Sequence, residues 1–259
     1  MAQLLKKLLV VLAVITLSTS MAYAGEKVRV TFGAEPYPPF TVPDASGNWT
    51  GWEIEMIEAI CTAAGLDYEL VPTAWDGIIP ALISKKVDLI IGSMSITEER
   101  LKSIDFSEKY FNTPAYVVGA KGMKFEATPA GLKGKVLGVQ TATTHAAYAA
   151  KHYKDSKIKQ YQTQDEINQD LISGRLDATQ ADSLAMIDFL ETADGQSCCD
   201  LKGAAIDDPA VLGRGVGVGM RKGSDEMKAK INAAIKTIRA NGKYQEITKK
   251  YFKVDVYGE

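Results

Sequence analysis

The stretch Gly92-Ser93-Met94-Ser95-Ile96-Thr97-Glu98-Glu99-Arg100 sets three hydroxyls at alternate positions and ends on a guanidinium. It reads as a strand end passing into a helix start, where serine and threonine serve as caps. Arg100 then falls in the first helical turn, where a cation opposes the helix dipole. Breaches of this kind are expected at functional sites. A planar guanidinium beside hydroxyls and free helix N–H groups suits a carboxylate held by two parallel hydrogen bonds; the competing partner is Glu98 or Asp105 in a salt bridge. A second stretch, Gly138-Val139-Gln140-Thr141-Ala142-Thr143-Thr144-His145, runs from strand through a small-residue turn into a helix. Its first N–H groups, at Thr144 and His145, offer either an anion site or an ordinary N-cap.

Asp182 is the acid best placed to hold an ammonium group, and it is equally suited to cap a helix over 184–190. Tyr37, in Glu35-Pro36-Tyr37-Pro38-Pro39-Phe40, and Trp75, before Asp76-Gly77, lie on loops marked by Pro and Gly. Two such rings can enclose an aliphatic chain or a cation, the latter worth about 0.5–2 kcal/mol. Trp49 and Trp52 read as packing at a turn and a helix start. Gly215-Val216-Gly217-Val218-Gly219 alternates at strand period and lacks the strand, turn and immediate helix of a nucleotide fingerprint. His145 and His152 have no Cys or acid at ligand spacing, so neither a metal nor a cofactor is expected. No nucleophile elbow or P-loop is present.

These residues need elements to carry them, and the chain alternates strand with helix. Strands are expected over 27–32, 68–71, 87–91 and 135–140, the third of them buried and parallel. Helices are expected over 54–64, over 78–85 with Asp76 as cap, from about Thr144, and after the capping-box spacing Thr163-Gln164-Asp165-Glu166. Met227, Ile231, Ile235 and Ile238 form one apolar stripe of a C-terminal helix ending at Gly242, and a last short helix runs through Tyr251. The class is α/β. The stretch 82–88, Leu-Ile-Ser-Lys-Lys-Val-Asp, is echoed 89 residues further on at 171–177, Leu-Ile-Ser-Gly-Arg-Leu-Asp. Chance repetition or two similar α/β lobes would both produce it. In the second case the echoing strands deliver Ser93 and Asp182 to their carboxyl ends, where open sheets bind ligands.

Composition agrees with a folded, exported chain. The 259 residues are 46% apolar and 24% charged, which excludes a disordered or collagen-like chain. A formal charge of −2 gives no reason to expect a nucleic-acid partner. Lys6 and Lys7 precede an apolar run over 8–17, and Ala22-Tyr23-Ala24 supplies a small-x-small cleavage pattern, so residues 1–24 read as a signal peptide cut after Ala24. The run is shorter than the roughly 18 residues of a membrane span, and no Cys follows the cut to carry a lipid. Cys61, Cys198 and Cys199 are an odd number; a bond between neighbours closes only a strained ring, so all three are expected as free or buried thiols.

With these residues in view, the mature chain resembles the periplasmic amino-acid-binding proteins of ABC importers, within the lysine, arginine, ornithine, histidine and opine group. The stretches that carry the resemblance are Tyr37-Pro38-Pro39-Phe40, Ala74-Trp75-Asp76-Gly77-Ile78-Ile79-Pro80, Gly92 through Arg100, Gly138 through His145, Gly174-Arg175-Leu176-Asp177 and Lys250-Tyr251-Phe252. The resemblance implies a two-lobed periplasmic-binding-protein fold of type II, with lobe one at 25–112 plus 216–259 and lobe two at 113–215, joined by two hinge strands. It implies that Arg100, with Ser95 and the Thr144 backbone, clamps an α-carboxylate. Asp182 and the region Gly92-Ser93-Met94 would hold the α-ammonium, and Tyr37 and Trp75 would enclose the side chain. Gln140, Thr143 and His145 resemble the arginine and opine members. Members that bind cationic ligands place an acid three residues before the tyrosine, where this chain has Ala34; Glu35 is one residue closer.

The function this implies is reversible capture of a polar, cationic L-amino acid in the periplasm and delivery to an inner-membrane ABC permease by lobe closure, with a monomer as the default and no enzymatic activity. Two alternatives stand beside it. One is a dehydratase acting on cyclohexadienyl acids such as arogenate, for which Glu35 is the evident general acid. The other is a module that reports its ligand to a membrane receptor.

Overall fold

Alternating apolar residues open the described part of the chain. A computed structural model describes residues 27–258, and the expected leader lies outside them. In chain order the strands are Val28–Thr31 (β1), Val42–Pro43 (β2), Trp49–Thr50 (β3), Tyr68–Leu70 (β4), Leu89–Ile90 (β5), Asp105–Phe111 (β6), Ala115–Ala120 (β7), Val136–Gln140 (β8), Lys157–Tyr161 (β9), Ala178–Asp182 (β10), Cys199–Ala204 (β11) and Val216–Met220 (β12). They form one sheet in the order β4-β1-β5-β12-β6, a second in the order β11-β7-β10-β8-β9, and a ribbon of β2 with β3. In the first sheet β1 runs parallel to β4 and β5, and β12 is antiparallel to its neighbours. In the second, β8 is parallel to β9 and β10, and β7 is antiparallel to β10 and β11. The chain therefore passes from the first sheet to the second between β6 and β7, and returns between β11 and β12. The Gly-rich segment is β12, the returning strand itself.

Each sheet carries its own apolar core. Helix Trp52–Ala63 lays Trp52, Met56, Ile57 and Ile60 against Phe40, Tyr110 and Phe111, all fully buried or nearly so. The stripe Ile231, Ile235, Ile238 of helix Asp225–Ala240 closes the same core. Under the second sheet, Leu137, Val139, Tyr148 and Tyr153 pack on one side; Ile167, Leu171, Leu176 and Met186 pack on the other. Helix Gln164–Ile172 starts on a complete capping box between Thr163 and Glu166.

The echoed stretches fold alike. Lys85 and Gly174 both take left-handed backbone, with φ of 63° and 73°. Lys86 donates its N–H to the Ala81 carbonyl at 2.9 Å, and Arg175 to that of Asp170 at 2.8 Å. Asp88 and Asp177 then accept the backbone N–H of the neighbouring strand, from Arg29 and Val136 respectively. One turn is thus built twice, and each copy launches a central strand toward the space between the sheets. Glycine adopts that left-handed backbone freely; the lysine does so at a cost.

Two local expectations are corrected. Asp76 does not cap the helix Ile78–Ile83: it sits inside a 3₁₀ turn, Trp75–Gly77, and Gly77 occupies the cap position without a side-chain bond. Cys198 and Cys199 are not free thiols but are bonded to each other. Cys198 ends helix Ala193–Cys198 and Cys199 is already extended at the start of β11, so the chain turns a corner between them. Cys61 is free and buried.

Candidate functional site

The two sheets leave between them a cavity of about 490 Å³, walled by residues of both. On the first wall, the chain leaving β5 passes through Ile91 to Gly92 and Ser93. A Cβ on Gly92 would lie 2.9 Å from the Phe32 backbone, so the strand end sits close against β1 only because that residue is glycine. Ser93 holds φ of 55° and donates its hydroxyl to Glu53 Oε2 at 2.7 Å. Tyr110 donates its phenolic O–H to the other oxygen of Glu53, which has no exposed surface. Loss of hydration pushes the Glu53 carboxyl up to about 7 despite these two donors.

Thr97 caps helix Glu98–Ser103 by accepting the Arg100 N–H at 3.2 Å. The Arg100 side chain is half-buried at the cavity, donates from Nη1 to the Ser95 carbonyl at 2.9 Å, and lies 5.7 Å from the centre of the Trp75 ring. Neither rival carboxylate takes it: Asp105 is paired with Lys228 at 3.0 Å, and Glu98 is exposed to solvent. Burial draws the guanidinium down to about 10, which leaves it charged at neutral pH. Met94 does not line the cavity: Ser93 and Ser95 on either side of it do, while the Met94 side chain packs in the core with Ile78, Leu82 and Ile104.

Glu35 faces the cavity. Its Oε1 accepts the Trp75 N–H at 3.3 Å, while Oε2 is buried without a partner. Trp75 reaches across to the second wall and donates its indole N–H to the Ala142 carbonyl at 3.2 Å. Tyr37 stacks on Phe40, and its hydroxyl accepts the Asp182 N–H at 3.4 Å, a second link between the walls.

On the second wall, Asp182 lines the cavity and caps a helix. One oxygen accepts the Leu184 N–H at 2.8 Å as a helix cap, and the other accepts the Thr113 hydroxyl at the mouth of the chain crossing. Desolvation raises its carboxyl to about 6. Thr143 caps helix Thr144–His152 by accepting the Ala146 N–H, and its hydroxyl donates to the Gln140 carbonyl at 2.6 Å. The backbone N–H groups of Thr144 and His145, in the first turn of that helix, lack intrahelical acceptors by geometry. The His145 ring has a buried Nδ1 without a partner; burial and the Arg100 charge lower it to about 4, so it is neutral at pH 7. Among the described residues no group of His, Cys, Asp and Glu could hold a metal, and His152 bonds to Asp208 instead.

Of the expected residues, all but Met94 line this one cavity. Two that matter were missed. Glu53 shares a helix face with the buried Ile57 and Ile60, so an acid on an apolar stripe was the available signal. Gln180 precedes Asp182 by two on β10, and strand period puts both on one face. The wall thus presents a guanidinium and a carboxylate from opposite sheets, suited to the two ends of a small zwitterion. A second acid stands beside an indole.

Residues 30–254 match the family described as bacterial extracellular solute-binding proteins, family 3. The chain is 41% identical over 254 residues to the L-arginine-binding protein of Pseudomonas aeruginosa, spanning 97% of each. It is 36% identical over 264 residues to the histidine-binding periplasmic protein of Salmonella typhimurium, spanning 100% of each. Among solved structures, an ancestral arginine-binding protein bound to arginine superposes with a TM-score of 0.79 at 34% identity, over 87% of this chain and 98% of that one.

Proposed function

The chain belongs to the bacterial extracellular solute-binding proteins, family 3, and we propose that it captures a cationic L-amino acid in the periplasm and delivers it, as a monomer, to an ABC permease. Residues 25–112 with 216–259 act as one lobe and 113–215 as the other, hinged at the two chain crossings. Arg100, with the Ser95 and Thr144 region, takes the α-carboxylate. Asp182 and Ser93 take the α-ammonium, and Tyr37 and Trp75 flank the side chain. The observation that carries this reading is that Arg100 and Asp182, from different sheets, line one cavity together with the unpartnered Glu35 oxygen. A zwitterion leaving water needs both of its charges met, and a cationic side chain gives Glu35 Oε2 its missing partner. The relatives named above for arginine and histidine point the same way.

Links such as Trp75 to Ala142 exist only while the walls are close, so ligand bridging both walls shifts the hinge toward the closed form. Isothermal titration with L-arginine, L-lysine, L-ornithine, L-histidine and octopine tests the reading. Saturable one-to-one heat with at least one of them is expected, and no heat with any amino acid or opine rejects it. Turnover of arogenate would reassign the cleft to a dehydratase. Loss of growth on the ligand after gene deletion separates uptake from sensing.

Trp75→Ala removes a ring face from the side-chain region together with one link between walls. L-arginine is expected to lose about 1–2 kcal/mol more than L-alanine does, by the worth of a desolvated cation on an indole. Equal losses, measured by titration of both ligands, would remove Trp75 from the side-chain subsite.

A further inference from the structure

Three glutamines stand in the cavity wall, and the protein satisfies two of them. Gln140 donates its amide to the Gln162 carbonyl at 2.9 Å, and Gln164 donates to Asn168 and Thr179 at 3.0 and 3.3 Å. Gln180 has no exposed surface, and neither its Oε1 nor its Nε2 has a partner. A carboxamide carries two donors and a two-lone-pair acceptor, and buried polar groups are almost always paired. An apolar residue would fill the same place on β10 without that penalty, so the amide is retained for something that comes and goes.

Its position says what that is. Gln180 shares the face of β10 that ends in Asp182, about 7 Å deeper along the strand. The charged ends of the ligand have Arg100 and Asp182; the amide lies further in. We infer that Gln180 is a specificity-determining residue whose carboxamide hydrogen-bonds the polar head of the bound amino acid's side chain. The inference rests on the reading of the cleft as an amino-acid site. A side chain bearing N–H donors satisfies the amide carbonyl, whereas an aliphatic one shuts the lobes over an orphaned amide. Sites built around a buried hydrogen-bonding group reject analogues that lack its partner.

Two substitutions of similar size separate ligand reading from packing. Gln180→Met keeps the shape and removes both hydrogen-bonding functions; Gln180→Glu keeps the shape and the acceptor. L-arginine, L-lysine and L-histidine are titrated into the native protein and both variants, with thermal melts as a check on folding and Gln180→Leu in reserve should the methionine variant fail to fold. For the tightest of the three probes, affinity is expected to fall at least tenfold in Gln180→Met and to stay within threefold of native in Gln180→Glu. A purely structural role gives the reverse order, because methionine suits a buried site and a carboxylate does not. Native-like binding by Gln180→Met, or an affinity for Gln180→Glu at or below that of Gln180→Met, overturns the inference. No binding of any probe by the native protein overturns the amino-acid reading and this inference with it.

Discussion

Arg100→Ala is expected to lose about 3–5 kcal/mol of ligand affinity, the cost of leaving one member of a buried ion pair without its partner. That is at least a hundredfold in dissociation constant, at 1.4 kcal/mol per tenfold. The loss is large because the alternatives for the ligand carboxylate are weak: neutral hydroxyls, a neutral His145 and the first turn of a nine-residue helix. The fold should survive, since the side chain contributes one hydrogen bond to the Ser95 carbonyl and a face against Trp75. Arg100→Lys keeps the charge but loses the fork that grips two oxygens at once, and should fall between native and alanine. Titration with L-arginine beside a thermal melt of each variant reads both quantities. Native affinity in a folded alanine variant would remove Arg100 from the site.

Glu53 makes ligand-free stability depend on pH. Its carboxyl titrates near 4.5 in an unfolded chain and at about 7 when buried beneath Ser93. The raised value means that the folded state prefers the proton. Its contribution is fully present below pH 4.5 and is lost as pH rises through 7. At about 1.36 kcal/mol per pKa unit, the swing is roughly 3 kcal/mol. Asp182, raised to about 6, works in the same sense. His145 works against both, because its lowered value costs stability as pH falls from 6.5 toward 4. The clean measure is therefore the difference between native protein and Glu53→Gln in denaturant melts from pH 4.5 to 8. The glutamine variant should gain on native by about 3 kcal/mol across that window, and a constant difference would show that the Glu53 proton is not linked to folding.

The elements were legible where local chemistry suffices to make them. The capping box at Thr163 and Glu166, the stripe through Ile231, Ile235 and Ile238, and the twice-used turn into Asp88 and Asp177 are all short-range patterns. Arg100 stood out because it breaks a local rule, and Tyr37 and Trp75 because aromatic residues on Pro- and Gly-marked loops have no periodic face to pack. What stayed hidden depends on contacts distant in the chain. Which way Glu35 turns is decided by the Trp75 N–H, 40 residues away. That Glu53 lies beneath the site is decided by Ser93 and Tyr110. Met94 was included with its serine neighbours because a motif names consecutive residues, whereas only Ser93 and Ser95 of the three line the cavity. Cys198 and Cys199 required the corner between helix and strand, which spacing rules for cysteines do not describe.

Of the three tryptophans in the chain, Trp49 and Trp52 are packed with the rings of the first core, whereas Trp75 ties its indole nitrogen to the opposite wall. Two of the fluorophores thus stay within one lobe of the proposed hinge, and the third would gain or lose its carbonyl partner as that hinge moved. The molecule carries its own optical gauge of opening, already installed and needing no dye.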